Sequence, residues 1–234
     1  AQGVASVLSL DQLRVLSLHE TNVEDGWLPE PSSWPPLEYL GLSKTKIGPA
    51  AGSLVGQLTS LQRLGLGGAQ IGDEGVGQLG GLGALTYLHI GNVGVSGPGL
   101  AALEPLRALQ TLYAFQNPLT EDAFVHLGRL EALRGLFLSH VALDGAWLRH
   151  LAGLTGLQTL DLRATGISSD DLAPIAEMAS LHELHLQGNP GIDDDAVEFI
   201  GRLPNLSAFS TVNTGITDAG RERLRELLPG CRLR

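Results

Sequence analysis

The stretch LQRLGL, Leu61 to Leu66, places leucines at its first, fourth and sixth positions. The same spacing returns at Leu37, Leu40 and Leu42, at Leu157, Leu160 and Leu162, and at Leu181, Leu184 and Leu186. The leading leucines are Leu13, Leu37, Leu61, Leu85, Leu109, Leu133, Leu157, Leu181 and Leu206; every step is 24 residues except the last, which is 25. The additional residue falls in GNPGI, at Gly191, where another copy reads RATGI. A fixed period in the range of roughly 20 to 50 residues marks an array of stacked supersecondary units.

Each copy follows one script. A short alternation of apolar and polar residues reads as a strand. An apolar residue closes the following turn, as at Val23, Ile47, Ile71, Leu119, Ile167 and Ile216. Acidic residues that suit a helix start come next: Asp73, Asp122, Asp170 and Asp218. Apolar residues then recur about three apart, as in Val76, Leu79 and Leu82 or Phe124, Leu127 and Leu130, which is helical spacing over about two turns. The phrase IGDEGVGQL at Ile71–Leu79 therefore returns as ITDAGRERL at Ile216–Leu224. One such unit cannot bury its apolar side alone, whereas stacked copies can, with parallel strands on one side and short helices on the other.

This pattern resembles the leucine-rich repeat, over essentially the whole chain. The phrase Thr214–Gly220 is similar to the 24-residue bacterial subclass, which includes GALA-type repeats, and to ribonuclease-inhibitor-like horseshoes. The F-box of the GALA proteins has no counterpart here. The resemblance implies an α/β right-handed solenoid with a concave parallel sheet of about nine strands and short helices or loops on the convex side. Residues 1–12 form a partial repeat or an N-terminal cap, 13–230 the nine repeats and 231–234 a C-terminal edge segment. Val4, Val7 and Leu10 fall at the helix positions of Val76, Leu79 and Leu82, so all three are expected to pack beneath the first full unit. If they belong to a cut unit, its open sheet edge invites self-association. The prolines of EPSSWPP, Glu30–Pro36, predict an irregular loop in place of one helix.

Composition narrows the function. A net charge of −10 disfavours binding nucleic acid through its phosphates, and mildly favours a basic partner. No apolar run approaches the roughly 18–20 residues of a membrane span. A single cysteine, Cys231, excludes an internal disulfide and leaves the compartment open between a bacterial cytoplasm and secretion.

Neighbouring strand residues point to opposite faces. With the leucines inward, the third, fifth and seventh positions of each unit face out as three columns, and all three tyrosines fall there. Tyr87, His89, Tyr113, Phe115 and Phe137 concentrate in the middle, with Tyr39 further out. A contiguous aromatic patch marks a contact surface; the plainer reading is rings that cover their strand neighbours. On one flank Asp161, Arg163, Glu183 and His185 form either a polar rim with cross-strand charge pairs or a solvated ladder. On the other flank Gly65, Gly67, Gly68 and Gly91 either leave a bare floor for a partner's backbone or serve as filler.

Asp161, His185 and Ser210 share one column in acid–base–nucleophile order, but the strands offer no oxyanion donors and no enclosed pocket. His182 and His185 point to opposite strand faces, which argues against a metal site, and no cofactor motif occurs. The favoured reading is a non-catalytic protein-binding module using the sheet face, from a bacterial effector or surface protein. Its partner contacts are Tyr39, Tyr87, His89, Tyr113, Phe115, Phe137, Asp161, Arg163 and His185. The alternative is recognition of carbohydrate or a cell-surface ligand, because tyrosines beside Asp and His can stack on and hydrogen-bond sugars.

Overall fold

The computed structural model describes residues 2–233. It is an α/β solenoid whose chain divides into two compact units, one ending at Pro118 and the other beginning at Leu119. The first unit carries strands β1 (Val15–Ser17), β2 (Tyr39–Gly41), β3 (Arg63–Gly65), β4 (Tyr87–His89) and β5 (Thr111–Tyr113). These pair in parallel and in chain order, with Val15 opposite Tyr39, then Arg63, Tyr87 and Thr111, so the 24-residue period becomes a strand register. The second unit carries β6 (Gly135–Phe137), β7 (Thr159–Asp161), β8 (Glu183–His185), β9 (Ala208–Phe209) and β10 (Arg232–Leu233), also parallel and in order. Glu183 faces Ala208, which is the 25-residue step.

The core is built by the repeat itself. Leu37, Leu40, Leu61, Leu64, Leu85, Leu88, Leu109 and Leu112 are fully buried in the first unit, as are Leu133, Leu136, Leu157 and Leu160 in the second. The turn-closing residues Val23, Ile47, Ile71, Leu119, Ile167 and Ile216 are buried as well. Behind the strands run short α-helices: α1 (Gln2–Leu8), α2 (Pro49–Val55), α3 (Gly72–Val76), α4 (Glu121–Leu127), α5 (Ala196–Ile200) and α6 (Asp218–Leu227). Elsewhere the return is a 3-10 segment, as at Pro98–Leu103, Gly145–Leu151 and Asp170–Ile175. The Glu30–Pro36 stretch holds one 3-10 turn, Pro31–Ser33, and Trp34 donates its indole N–H to the Pro29 carbonyl at 2.8 Å.

Two polar features bind neighbouring repeats. Asn117, 3% exposed, accepts from the N–H groups of Val93 and Gly94 at 3.0 Å and donates to the carbonyls of Ile90 at 2.7 Å and Ala114 at 2.9 Å. Asn189 repeats the device with Thr165, Gly166, Leu162 and Leu186. A buried turn full of backbone groups is tolerable only when such partners exist. Asp122, Asp170 and Asp218 stand in the first turns of their segments as expected, but Asp73 does more than mark a helix start. Asp73 leaves its own helix uncapped and reaches one repeat onward, accepting from the backbone of Gly99 at 2.9 Å and of Gly97 at 3.2 Å and from the Ser96 hydroxyl at 2.6 Å. Asp194 reaches Thr217 in the same manner.

A further regularity lies where each strand ends. Glu20, Lys44, Gly68, Asn92 and Gln116 in the first unit, and His140, Ala164, Gly188 and Asn213 in the second, have left-handed backbones with φ between 52° and 78°. Seven of the nine are not glycine, so this conformation is imposed against an intrinsic steric cost of about 1–2 kcal/mol per residue.

The N-terminal helix corrects one expectation. Val4 and Leu8 are buried, Val7 is half-buried, and Leu10 is 55% exposed. The helix ends at Leu8, so residues four apart share its inner face and Leu10 lies beyond its last turn. Among the described residues β1 is paired on one side only, and its Val15 is 61% exposed.

Candidate functional site on the sheet face

The outward strand positions of the first unit bring most of its aromatic residues into contact. The Tyr87 and Tyr113 rings lie 5.4 Å apart by their centroids. His89 meets Tyr113 edge-on at 5.7 Å and Phe115 at 5.3 Å. Tyr39 joins through Arg63, whose guanidinium carbon lies 5.9 Å from the Tyr39 ring centroid and 5.0 Å from that of Tyr87. Both separations are within cation–π range. His19 fixes Tyr39 in turn. Its Nδ1 accepts from the Ser43 N–H at 3.0 Å, so Nε2 carries the proton and donates to the Tyr39 hydroxyl at 2.6 Å.

The glycines beneath are not bare. Gly41, Gly65, Gly67 and Gly91 are all buried. A Cβ on Gly67 would lie 2.5 Å from His89 Nε2, and one on Gly91 would lie 2.6 Å from Phe115 Cζ. A Cβ on Gly41 would strike the His19 ring. The space above Gly41, Gly67 and Gly91 is thus taken by neighbouring rings, which leaves no open floor there for a partner's backbone. This packing takes His89 Nε2 out of water without a hydrogen-bond partner. Burial is the leading cause that lowers the His89 pKa below 6.5, with repulsion from His19 added whenever that ring is protonated, and it keeps the His89 ring neutral near pH 7. Burial, then the neighbouring Tyr113, raises the Tyr87 pKa, against the opposing pull of Arg63.

The second unit carries the remaining candidates. Phe137 is half-buried on β6, in cross-strand register with Asp161, and Asp161 is in register with His185. Asp161 is 1% exposed, so it is no rim carboxylate. Its oxygens accept from the Arg163 backbone at 3.0 Å, from Arg163 Nε at 2.9 Å and from Arg163 Nη2 at 2.6 Å. The Arg163 side chain, half exposed, lids the carboxylate and has its own pKa raised, chiefly by that hydrogen bond. The pairs formed run along the chain rather than across strands: Asp161, at the end of β7, with Arg163 two residues on, and Glu183 within β8 with His185 at 3.5 Å, ionic when that histidine is protonated. Residues two apart on a strand share a face, which allows a long side chain to fold back on a short one.

Arg63 and His19 sit in the outward columns, yet neither is conspicuous as a letter in the sequence. The signal is their position beside tyrosines in the register. Among the described residues no group of three His, Cys, Asp or Glu is placed to hold a metal ion, and no helix is long and apolar enough to cross a membrane.

Comparison with known proteins agrees with this architecture. A family profile described as a leucine-rich repeat region matches residues 1–227. An internalin, InlF, from Listeria monocytogenes shares the fold with a TM-score of 0.73 at 22% identity, over 98% of this chain and 62% of that one. Internalin C2 from the same organism gives 0.65 at 23% identity, over 96% and 82%. The plant peptide hormone receptor RGFR1 in complex with RGF2 gives 0.61 at 18%, over 98% and 40%. The chain thus spans under two thirds of InlF, and at these identities the likeness is one of fold. No curated protein matches it by sequence.

Proposed function

We propose that this chain, which belongs to the leucine-rich repeat family, is a non-catalytic module that binds a protein partner on its sheet face. The observation that carries this reading is the ring strip of the first unit. Tyr39, Tyr87, His89, Tyr113 and Phe115 are held by ring contacts, by Arg63 and by the glycines beneath before any partner arrives. Side chains already ordered lose little entropy on binding, and half-exposed tyrosines supply the large apolar areas that dominate interface energies. Nothing in folding requires five such rings on the outer side of strands whose inner side is already packed with leucine. On the second unit's strands, Phe137, Arg163 and His185 are partner contacts in their own right, and Asp161 positions Arg163.

The 24-residue step resembles that of the bacterial subclass with GALA-like repeats, and Listeria internalins share the fold. Both support a bacterial effector or surface protein as the setting. Self-association through the edge of β1, beside Val15, belongs to this proposal only if residues 1–12 are part of a cut repeat.

The test compares capture of partners from host and bacterial lysates by the intact chain and by Tyr113→Ala and Phe137→Ala variants, with thermal melts in parallel. Each substitution is expected to weaken a purified complex by about 2 kcal/mol, with melting far less affected than by Leu112→Ala. Undiminished binding by both ring variants would overturn this assignment.

A further inference from the structure

The ring strip contains one cation, and its surroundings state what it is for. The third, fifth and seventh positions of the five repeats in the first unit make fifteen outward positions, and among them Arg63 alone carries a formal charge when histidines are neutral. The chain as a whole carries −10, so this face is positive against an acidic background. Several other cations of the fold are engaged by carboxylates: Lys44 by Glu20, Arg163 by Asp161, Arg202 by Glu177. Arg63 is held instead between the Tyr39 and Tyr87 faces, and among the described residues no carboxylate comes within ion-pair distance of it. Glu38, which lines the same cleft, makes no ion pair with it. That cleft has a volume of about 420 Å³ and is bounded by Val15, Glu38, Tyr39, Gln62 and Arg63.

We infer that Arg63 is the receptor for a side-chain carboxylate on an acidic peptide segment of the partner, laid across the ring strip. This rests on the sheet face being the binding face. Two rings flank the guanidinium, whose N–H groups make no hydrogen bond among the described residues, and a planar fork of donors matches a carboxylate by two parallel hydrogen bonds. The rotamer entropy of a free arginine has already been lost to the stack, so the ion pair forms at lower entropic cost. A phosphate dianion fits less well, because the cleft supplies no second cation and Glu38 would repel the added charge. The local charge thus selects an acidic segment, although the net charge of the chain alone would favour a basic partner.

The probe is a random linear peptide library displayed on phage, panned against the intact chain. Recovered peptides should be enriched in Asp and Glu. Their affinity should fall at least about tenfold for the Arg63→Gln chain, as for truncated charge pairs at interfaces, and equally when the acidic residue of the peptide is replaced by its amide. Arg63→Lys should fall between, since the ammonium keeps the charge without the fork. Arg63 is exposed, so the melting of these variants should match the parent. Peptides that lose affinity for Tyr113→Ala but not for Arg63→Gln would overturn the carboxylate assignment and leave the sheet-face reading standing. Peptides indifferent to both would overturn both. Recovery of no peptide, or of binders only from a phosphotyrosine-containing library, would also overturn the assignment.

Discussion

Adding a single methyl group at Gly67 should remodel the ring strip while leaving the fold almost as stable as before. In Gly67→Ala the new Cβ would stand 2.5 Å from His89 Nε2 and closer still to Cε1, where ordinary contact begins at 3.4 Å, so the ring must withdraw by at least about 0.9 Å (3.4 − 2.5). It cannot slide along the strip, because Tyr113 and Phe115 flank it at 5.7 and 5.3 Å. It must lift toward solvent. Gly67 does not have a left-handed backbone, so alanine fits the main chain and stabilises by roughly 0.4–1 kcal/mol through the unfolded state. Lost ring contacts cost about 0.5–1.5 kcal/mol. The two nearly cancel, and urea unfolding should shift by no more than about 1 kcal/mol. The local readout is the pH titration of the His89 ring protons by NMR. In the parent, burial depresses this pKa below 6.5. The unfolded chain then binds more protons than the folded one, so this contribution to stability is complete above pH 6.5 and declines as pH falls toward the folded pKa. In the variant the pKa should rise toward 6.5 and that acid-side decline should shrink. An unchanged or lower His89 pKa, or a loss of more than about 3 kcal/mol, would show that the ring does not rest on the glycine as described.

Asn117→Ala should be among the most damaging single changes. It strands the buried N–H groups of Val93 and Gly94 and the carbonyls of Ile90 and Ala114, and at about 1–3 kcal/mol for each unsatisfied group, partly relieved by water, a loss on the order of 4 kcal/mol is expected in urea melts. Asp73→Asn tests the link between repeats. Burial acts to raise the Asp73 pKa, but hydrogen bonds from Ser96, Gly99 and Gly97 outweigh it and hold the pKa below 3.8. Its stabilisation is therefore present above pH 3.8 and lost as pH falls through the folded pKa. The variant should be less stable near pH 7 by about 1–3 kcal/mol, and the difference should narrow under acid; a constant difference down to pH 2 would refute the role given to this carboxylate.

The leucine period made the fold legible, because burial in a stacked array repeats with the chain. Leu61, Leu64 and Leu66 predict both the strand and its inner face, and the outward columns place Tyr39, Tyr87 and Tyr113 on the other face, where they are half-exposed. What the period cannot carry is how a side chain lies once it has left the backbone. Asp161 reads as an exposed charge, yet Arg163 folds over it and removes it from water. Asp73 reads as a cap for its own helix, yet its carboxylate spans to the next repeat. Gly67 and Gly91 read as vacancies, yet rings occupy the space above them. Each outcome depends on a rotamer chosen by a neighbour 2 or about 24 positions away, which no single repeat encodes.

The left-handed residue that follows a strand ties its turn to the neighbouring repeat. The N–H of Glu20 donates to the carbonyl of Ser43, that of Lys44 to Gly67, that of Gly68 to Gly91 and that of Asn92 to Phe115. In the second unit His140 reaches Arg163, Ala164 reaches Gln187 and Gly188 reaches Val212. In these seven repeats the N–H of the costly turn is thus spent on the repeat that follows. A turn whose following neighbour is unfolded keeps its steric cost of about 1–2 kcal/mol without that hydrogen bond. Forming the turn and docking the next repeat are therefore one cooperative step, which is the nearest-neighbour coupling of a one-dimensional array.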